Sequence, residues 1–327
     1  MLPGGKTLIE VKNLVKRYGK HLAVDGLSFR VGKGQVYGFL GPNGAGKSTT
    51  MNIMTGYIGA TEGEVLINGH DILREPEEAK KCIGYLPEQP PLYMEMTVRE
   101  YLSFAGELKK IPKDKMEEQI EEVIELTKLR EAENRLIHNL SKGYRQRVGL
   151  AQAILGFPEI IILDEPTVGL DPKQIIEIRE LIRRLAKKHT VILSSHILAE
   201  IREVCDYIMI ISRGQLVASD TPANLENLMN RTAHIQIQVR GPQDRIKSIL
   251  DSLDCIETAD YSTGDDGVTA VQIQGREKED IREKLFLAFA EENVPLLELR
   301  LVKSTLEEIF LELTQESGEV ETDESDI

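Results

Sequence analysis

Tryptophan is absent from this 327-residue chain, and aromatic residues as a group reach only 5%. Cysteine is scarce as well: Cys82, Cys205 and Cys255 stand far apart and are odd in number. They fit neither a disulfide framework nor a cysteine metal site, and a reducing cytoplasm is their natural setting. No run of ~18 apolar residues occurs, so the sequence offers no transmembrane helix. Its most apolar region, Gly149 to Leu163, is interrupted by Gln152, Pro158 and Glu159. The opening MLPGGKTLIE lacks the long apolar segment of a secretory leader, and none is expected. Lys and Arg number 40 against 54 Asp and Glu, a net charge of −14. Non-specific nucleic-acid binding rests on many cationic contacts to phosphate, so that class is disfavoured.

What is present suffices for folded cores. Hydrophobic residues make up 41% and charged residues 29%. At ~150 residues per domain the length points to about two domains. From Thr7 to Leu228, short β-branched runs alternate with helical periodicity, the pattern of an α/β domain with a largely parallel sheet. Gln35–Leu40, Ile160–Leu163, Thr190–Ser194 and Tyr207–Ile211 are apolar enough to be strands covered on both faces. Glu64–Asn68 reads as a further strand with Val65 and Ile67 on one face. Helical periodicity runs from Val98 to Lys128, and Pro112 predicts two helices rather than one.

After Asn230 the pattern changes. Ile235, Ile237 and Val239 alternate with polar residues, as in a half-buried strand. Ile246, Ile249, Leu250 and Leu253 mark a helix face. Strands follow near Glu257–Tyr261 and Val268–Gln274 around the turn Gly264 to Gly267. A second helix carries Ile281, Leu285, Ala288 and Phe289, and a last strand aligns Leu297, Leu299 and Leu301. The order β-α-β-β-α-β predicts a small α+β ferredoxin-like domain over 231–314. Ser304 and Glu307 form a capping-box pattern ahead of a helix with Leu306, Ile309, Phe310 and Leu313 on one stripe. The segment 315–327 holds six acidic residues and no basic one, and is expected to be disordered.

The chemistry lies in the first 230 residues. Gly41, Pro42, Asn43, Gly44, Ala45, Gly46, Lys47 and Ser48 fit G-x-x-x-x-G-K-[ST] between a predicted strand and a predicted helix, with Thr49 next on that helix. Backbone N–H groups in such a loop curl around a phosphate chain, and the helix N-terminus adds a favourable dipole. Lys47 then neutralises the β/γ-phosphates, and the Ser48 hydroxyl is a Mg²⁺ ligand. The run Ile160 to Pro166 ends a buried strand with Asp164 and Glu165, at the edge where open α/β sheets bind ligands. Asp164 suits the Mg²⁺ shell, and Glu165 suits a base that orients the attacking water.

The phosphate loop, then LSKGYRQR over Leu140 to Arg147, then ILDEP, occur in the order seen in ATP-binding cassette (ABC) transporter ATPases. The chain resembles that family over about residues 7–228. The resemblance implies a P-loop cassette at 1–230 with a helical subdomain near 90–155. It implies that Ser141, Lys142 and Gly143 act on the γ-phosphate held by an opposite subunit. Lys142 departs from the family's LSGGQ, as do Tyr144 and Arg145, which leaves the contact to the partner's ribose unassigned. Tyr18, in KRYGK, resembles the aromatic that stacks on adenine, and Gln89 the glutamine that senses Mg²⁺ and water while linking to the membrane partner. Asp171 resembles the aspartate communicating between two sites, and His196 the switch histidine at the γ-phosphate. LSKGYRQR, GYLPEQPPLY and STLEEIFLELT together resemble multidrug-type and gliding-motility-associated exporter ATPases.

That resemblance implies an ATPase that uses ATP and Mg²⁺ and dimerises around two ATP. Its partners would be a second copy of the chain and separately encoded hydrophobic permease subunits, holding it at the inner face of the cell membrane. No nucleic-acid partner is expected. The alternative is a soluble ABC ATPase acting on DNA or ribosomes. The interval of roughly 90 residues between Lys47 and Ser141 is too short for the long coiled coil of DNA-maintenance members. A single phosphate loop also differs from the paired cassettes of translation factors. A P-loop kinase leaves LSKGYRQR unexplained.

Overall fold

In the computed structural model, residues 6–229, 234–263, 267–276 and 280–302 are described. The helix expected after Ser304, the acidic segment that follows it, and residues 264–266 of the expected turn lie outside them. The chain divides between Pro222 and Ala223 into two units.

In the first unit, β1 (Thr7–Tyr18), β2 (His21–Gly32) and β3 (Val36–Leu40) lead into α1 (Lys47–Met54). Next come β4 (Glu62–Ile67), β5 (His70–Asp71), α2 (Pro76–Lys81) and β6 (Ile83–Leu86). The helical stretch holds α3 (Val98–Leu108), α4 (Lys113–Leu126) and α5 (Lys142–Ile154). The chain continues through β7 (Ile160–Leu163), α6 (Pro172–Leu185), β8 (Thr190–Ser195), α7 (Leu198–Val204), β9 (Tyr207–Ser212) and β10 (Gln215–Asp220), then enters α8 (Pro222–Met229).

Two sheets form. One has the order β10-β9-β3-β8-β7-β6, with β9, β3, β8, β7 and β6 parallel and β10 antiparallel at the edge. All residues of β3, β7 and β8 are buried, as a strand covered on both faces requires. The other sheet, β2-β1-β4-β5, is antiparallel, and a sheet separate from the parallel one was not legible in the sequence. Val11, Val24 and Phe29 from it share one core with Phe39, Ile162, Ile192 and Met209 of the parallel sheet and Met51 and Met54 of α1. Phe29 and Phe39 meet edge to face at 5.2 Å, a favoured aromatic geometry.

The proline break at Pro112 separates α3 from α4. Thr97 and Glu100 form a reciprocal capping box at the start of α3. Arg99 pairs with Glu117, Glu121 and Glu133, tying α3 to α4 and the turn beyond it. The Lys109 ammonium accepts the role of a C-terminal cap on α5, donating to Gln152 O at 2.6 Å and Leu155 O at 2.7 Å. Burial pulls its pKa down to about 8.

The second unit contains β11 (His234–Arg240), α9 (Gln243–Asp251), β12 (Ile256–Thr263), β13 (Val268–Gly275), α10 (Arg282–Glu291) and β14 (Leu296–Val302). Its sheet order is β12-β13-β11-β14, antiparallel throughout. This is the split βαβ arrangement of a ferredoxin-like unit. Ile235, Ile237, Val239, Val271, Ile273, Leu285 and Phe289 build its core. One expectation fails. Leu297 does not share a face with Leu299 and Leu301, because a register shift opposite Gln238 and Val239 inserts it as an extra residue. Leu296 takes the inward position, and Leu297 is 47% exposed.

Candidate functional site

The turn from β3 into α1 demands glycine at two places. A Cβ on Gly41 would lie 2.3 Å from Ile211 O, and one on Gly46 would lie 2.5 Å from Ala23 O. Gly46 also takes φ 101° as the N-cap of α1, a conformation side-chain-bearing residues rarely adopt. Its carbonyl then accepts Thr50 N–H at 2.9 Å, so the helix starts directly from the loop and aims free amides at the cleft.

Lys47 is the first residue of α1 and only 5% exposed. Its ammonium arches back over the loop to Gly41 O (2.8 Å) and Pro42 O (3.2 Å), and lies 3.6 Å from Glu165 Oε1. A buried cation without such partners would be strongly disfavoured. The carbonyls therefore hold in place a charge that a phosphate can claim.

Asp164 and Glu165 emerge from the carboxyl end of β7, 3% and 6% exposed. Asp164 Oδ1 accepts Ser48 Oγ at 3.1 Å and Ser194 Oγ at 2.6 Å. Ser194 Oγ accepts Glu165 N–H at 2.9 Å. Two strands, β7 and β8, and the helix α1 thus converge on a single carboxylate oxygen. Glu165 sits at φ 48°, a left-handed conformation that costs a residue with a side chain roughly 1–3 kcal/mol. Its Oε2 lies 3.0 Å from His196 Nδ1, just past the end of β8.

These groups face a cleft of about 470 Å³ lined by Tyr18, Asn43 to Thr49, Glu165 and His196. Tyr18 is half exposed at its edge, with Lys16 Nζ 5.2 Å from the ring centroid. His21, Glu88 and Val168 also line the cleft and were not anticipated. Ser194 was missed too, although two fully buried serines immediately before a histidine are a legible polar signal.

Gln89 does not line this cleft. It belongs to an adjoining groove of about 740 Å³ that Ser48 and Asp164 share from the other side, together with Tyr57, Tyr85 and Lys109. Burial foremost, then the nearby Asp164 charge, push the Tyr85 phenol above its ordinary pKa, so it stays a donor to Asn52 Oδ1 at 2.9 Å.

Ser141, Lys142, Gly143 and Asp171 also stand apart from the cleft. Ser141 caps α5, its Oγ accepting Tyr144 N–H at 3.4 Å. Asp171 caps α6 through Gln174 N–H at 2.9 Å. A Cβ on Gly143 would lie 2.3 Å from Gln174 Oε1, so the starts of α5 and α6 abut.

Known proteins match this arrangement. The family described as ABC transporter matches residues 24–168. The bacitracin transport ATP-binding protein BcrA of Bacillus licheniformis is 35% identical over 309 residues, covering 94% of this chain and 97% of the relative. The chain belongs to the ABC transporter ATP-binding proteins. The linearmycin resistance ATP-binding protein LnrL of Bacillus subtilis is 32% identical to this ABC protein, over 94% of it and 98% of the relative. A solved ATP-binding subunit of an ABC transporter superposes with a TM-score of 0.63 at 31% identity, covering 68% of this chain and 93% of the other. A dimeric cassette bound to ADP and Pi gives 0.60 at 26% identity, over 65% and 98%. This ABC protein is an ATPase of the P-loop cassette fold. The relatives span its second unit as well, whereas those two structures cover only about two thirds of it.

Proposed function

We propose that Gly41 to Thr49 hold the phosphates of ATP, that Tyr18 stacks on its base, and that Glu165 is the general base for the attacking water with His196 oriented by it. The observation that carries this reading is convergence. Lys47 and Ser48 from the start of α1, Glu165 from the end of β7 and His196 from the end of β8 meet at one cleft, with Asp164 bonded to Ser48 beside it. An incoming phosphate takes the Lys47 ammonium from the Gly41 and Pro42 carbonyls and from Glu165. That frees Glu165 Oε1 to accept a proton from water, while Oε2 keeps the imidazole oriented through Nδ1.

Magnesium asks for hard oxygen donors and retains several waters. Ser48 Oγ and Asp164 Oδ1, 3.1 Å apart, fit it, with Gln89 on the groove side, and the ion supplies neutralisation of phosphate charge. Among the described residues no three His, Cys, Asp or Glu side chains form a metal cluster, in keeping with a shell completed by phosphate and water.

Ser141, Lys142, Gly143 and Asp171, which stand at the starts of α5 and α6 apart from their own cleft, act on the ATP held by a second copy, as the family resemblance implies. ATP then favours the closed dimer because it bonds both chains, and loss of the γ-phosphate removes that preference. Among the described residues no helix is long and apolar enough to cross a membrane, so separate permease chains form the pathway and hold the ATPase at the cytoplasmic face. Relatives named for bacitracin transport and linearmycin resistance support export as the direction.

Glu165→Gln tests the core of this. The amide keeps size and polarity but cannot take the proton, so kcat should fall by ~10²–10⁴ with ATP binding retained. Size-exclusion chromatography with Mg·ATP should show an accumulating dimer. Hydrolysis at the wild-type rate would remove Glu165 from the chemistry.

A further inference from the structure

Behind the hydrolytic residues, three buried side chains share one hydrogen-bond centre. Glu200, in the first turn of α7, is 5% exposed. Its Oε2 accepts Thr167 Oγ1 at 2.6 Å and Ser195 Oγ at 3.0 Å. Ser195 Oγ in turn accepts Ile197 N–H at 3.0 Å. Thr167 and Ser195 are both buried. Withdrawing a carboxylate from water is costly even when it is hydrogen-bonded, so a packing role alone would be better filled by an apolar side chain. An acidic residue early in a helix ordinarily serves that helix's own dipole or amides. Here the carboxylate oxygen instead reaches a loop 33 residues upstream.

Both hydroxyls adjoin the hydrolytic pair. Thr167 follows Glu165 by two residues, inside a turn closed by Val168 N–H on Glu165 O at 3.2 Å. Ser195 immediately precedes His196. The Glu165 backbone is left-handed, a conformation that persists only where its surroundings fix it, and the His196 side chain is 42% exposed. Their 3.0 Å contact depends on the spacing between the loop after β7 and the end of β8. A single oxygen of Glu200 bonds both of those segments.

We propose that Glu200 is a positioning residue. By gathering Thr167 and Ser195 onto one oxygen it fixes the spacing of Glu165 and His196, and thereby sets the rate of hydrolysis rather than the affinity for ATP. The inference rests on the roles given to Glu165 and His196 above. In the full-length chain, Glu200→Ala should lower kcat by about 10- to 100-fold, the scale of a small misplacement of reacting groups. The Kd for Mg·ATP, measured by calorimetry, should stay within about threefold, because the phosphate loop keeps its own bonds. Glu200→Gln can present its Oε1 to both hydroxyls and should restore most of the rate. If Glu200→Ala does not fold, Thr167→Val removes one of the two bonds and should show the same split between kcat and Kd. With Glu165→Gln inactive, the inference is overturned by a wild-type kcat in Glu200→Ala, by an equal loss of ATP affinity, or by failure of Glu200→Gln to recover rate. An active Glu165→Gln would overturn both the roles of the pair and this inference.

Discussion

The two units use similar materials to opposite ends. Each packs helices against a sheet and buries a core of Ile, Val, Leu and Phe. The first unit also buries Lys47, Gln146, Asp164, Glu165, Ser194, Ser195 and Glu200, whereas among the described residues of the second unit only Thr269 is a buried polar side chain. Buried polar groups are costly unless bonded, so a unit that accumulates them around one cleft is maintaining chemistry. A unit that buries almost none is maintaining shape.

Phe289→Ala probes the shape-keeping unit most severely. The ring is fully buried, and such truncations cost about 3–5 kcal/mol. Hydrogen exchange should quicken across β11 and β13 while the calorimetric affinity for ATP stays unchanged. A weakened affinity would break the separation of roles. Lys47→Ala probes the other side. Loss of the main cation at the phosphates should weaken ATP binding by about 100-fold, ~3 kcal/mol, with β11 and β13 protected as before. Near-normal affinity at physiological salt would count against the cleft as the ATP site.

A gentler test uses pH. Lys109 has its pKa lowered to about 8 by burial, from an ordinary 10.5, so between those values the unfolded chain holds a proton that the folded one lacks. Stability should therefore rise with pH across that window, by at most ~1.4 kcal/mol per pH unit, and the burial penalty is present in full below about 8. Lys109→Met should remove this slope from melting curves taken between pH 8 and 9.5. The smallest effect belongs to Leu297→Ser. At a half-exposed bulge it should change stability by no more than about 0.5 kcal/mol, and a larger loss would show that the register shift matters to the core.

Much of this protein is legible in its sequence alone. Local signals sufficed where the physics is local: the apolar run of β7, the break at Pro112, the glycines of the phosphate loop and the alternation in β11 each depend on near neighbours in sequence. The first two carboxylates after β7 were readable for the same reason, since a buried strand must end somewhere and its polar terminus is conspicuous.

Tertiary structure decided what those residues meet. The order β3-β8-β7 brings the carboxyl ends of three strands side by side, and only then do Ser48, Ser194 and Asp164 share an oxygen. The same ordering sets His196 against Glu165 and gathers Thr167 and Ser195 onto Glu200. It also places Ser141 and Asp171 apart from this chain's own cleft, at the starts of α5 and α6. Nothing in a linear pattern specifies these pairings, because they depend on strand order and close packing among segments many residues apart. The sequence by itself determined which groups were available and which turns could carry them; long-range sheet pairing determined which of them touch.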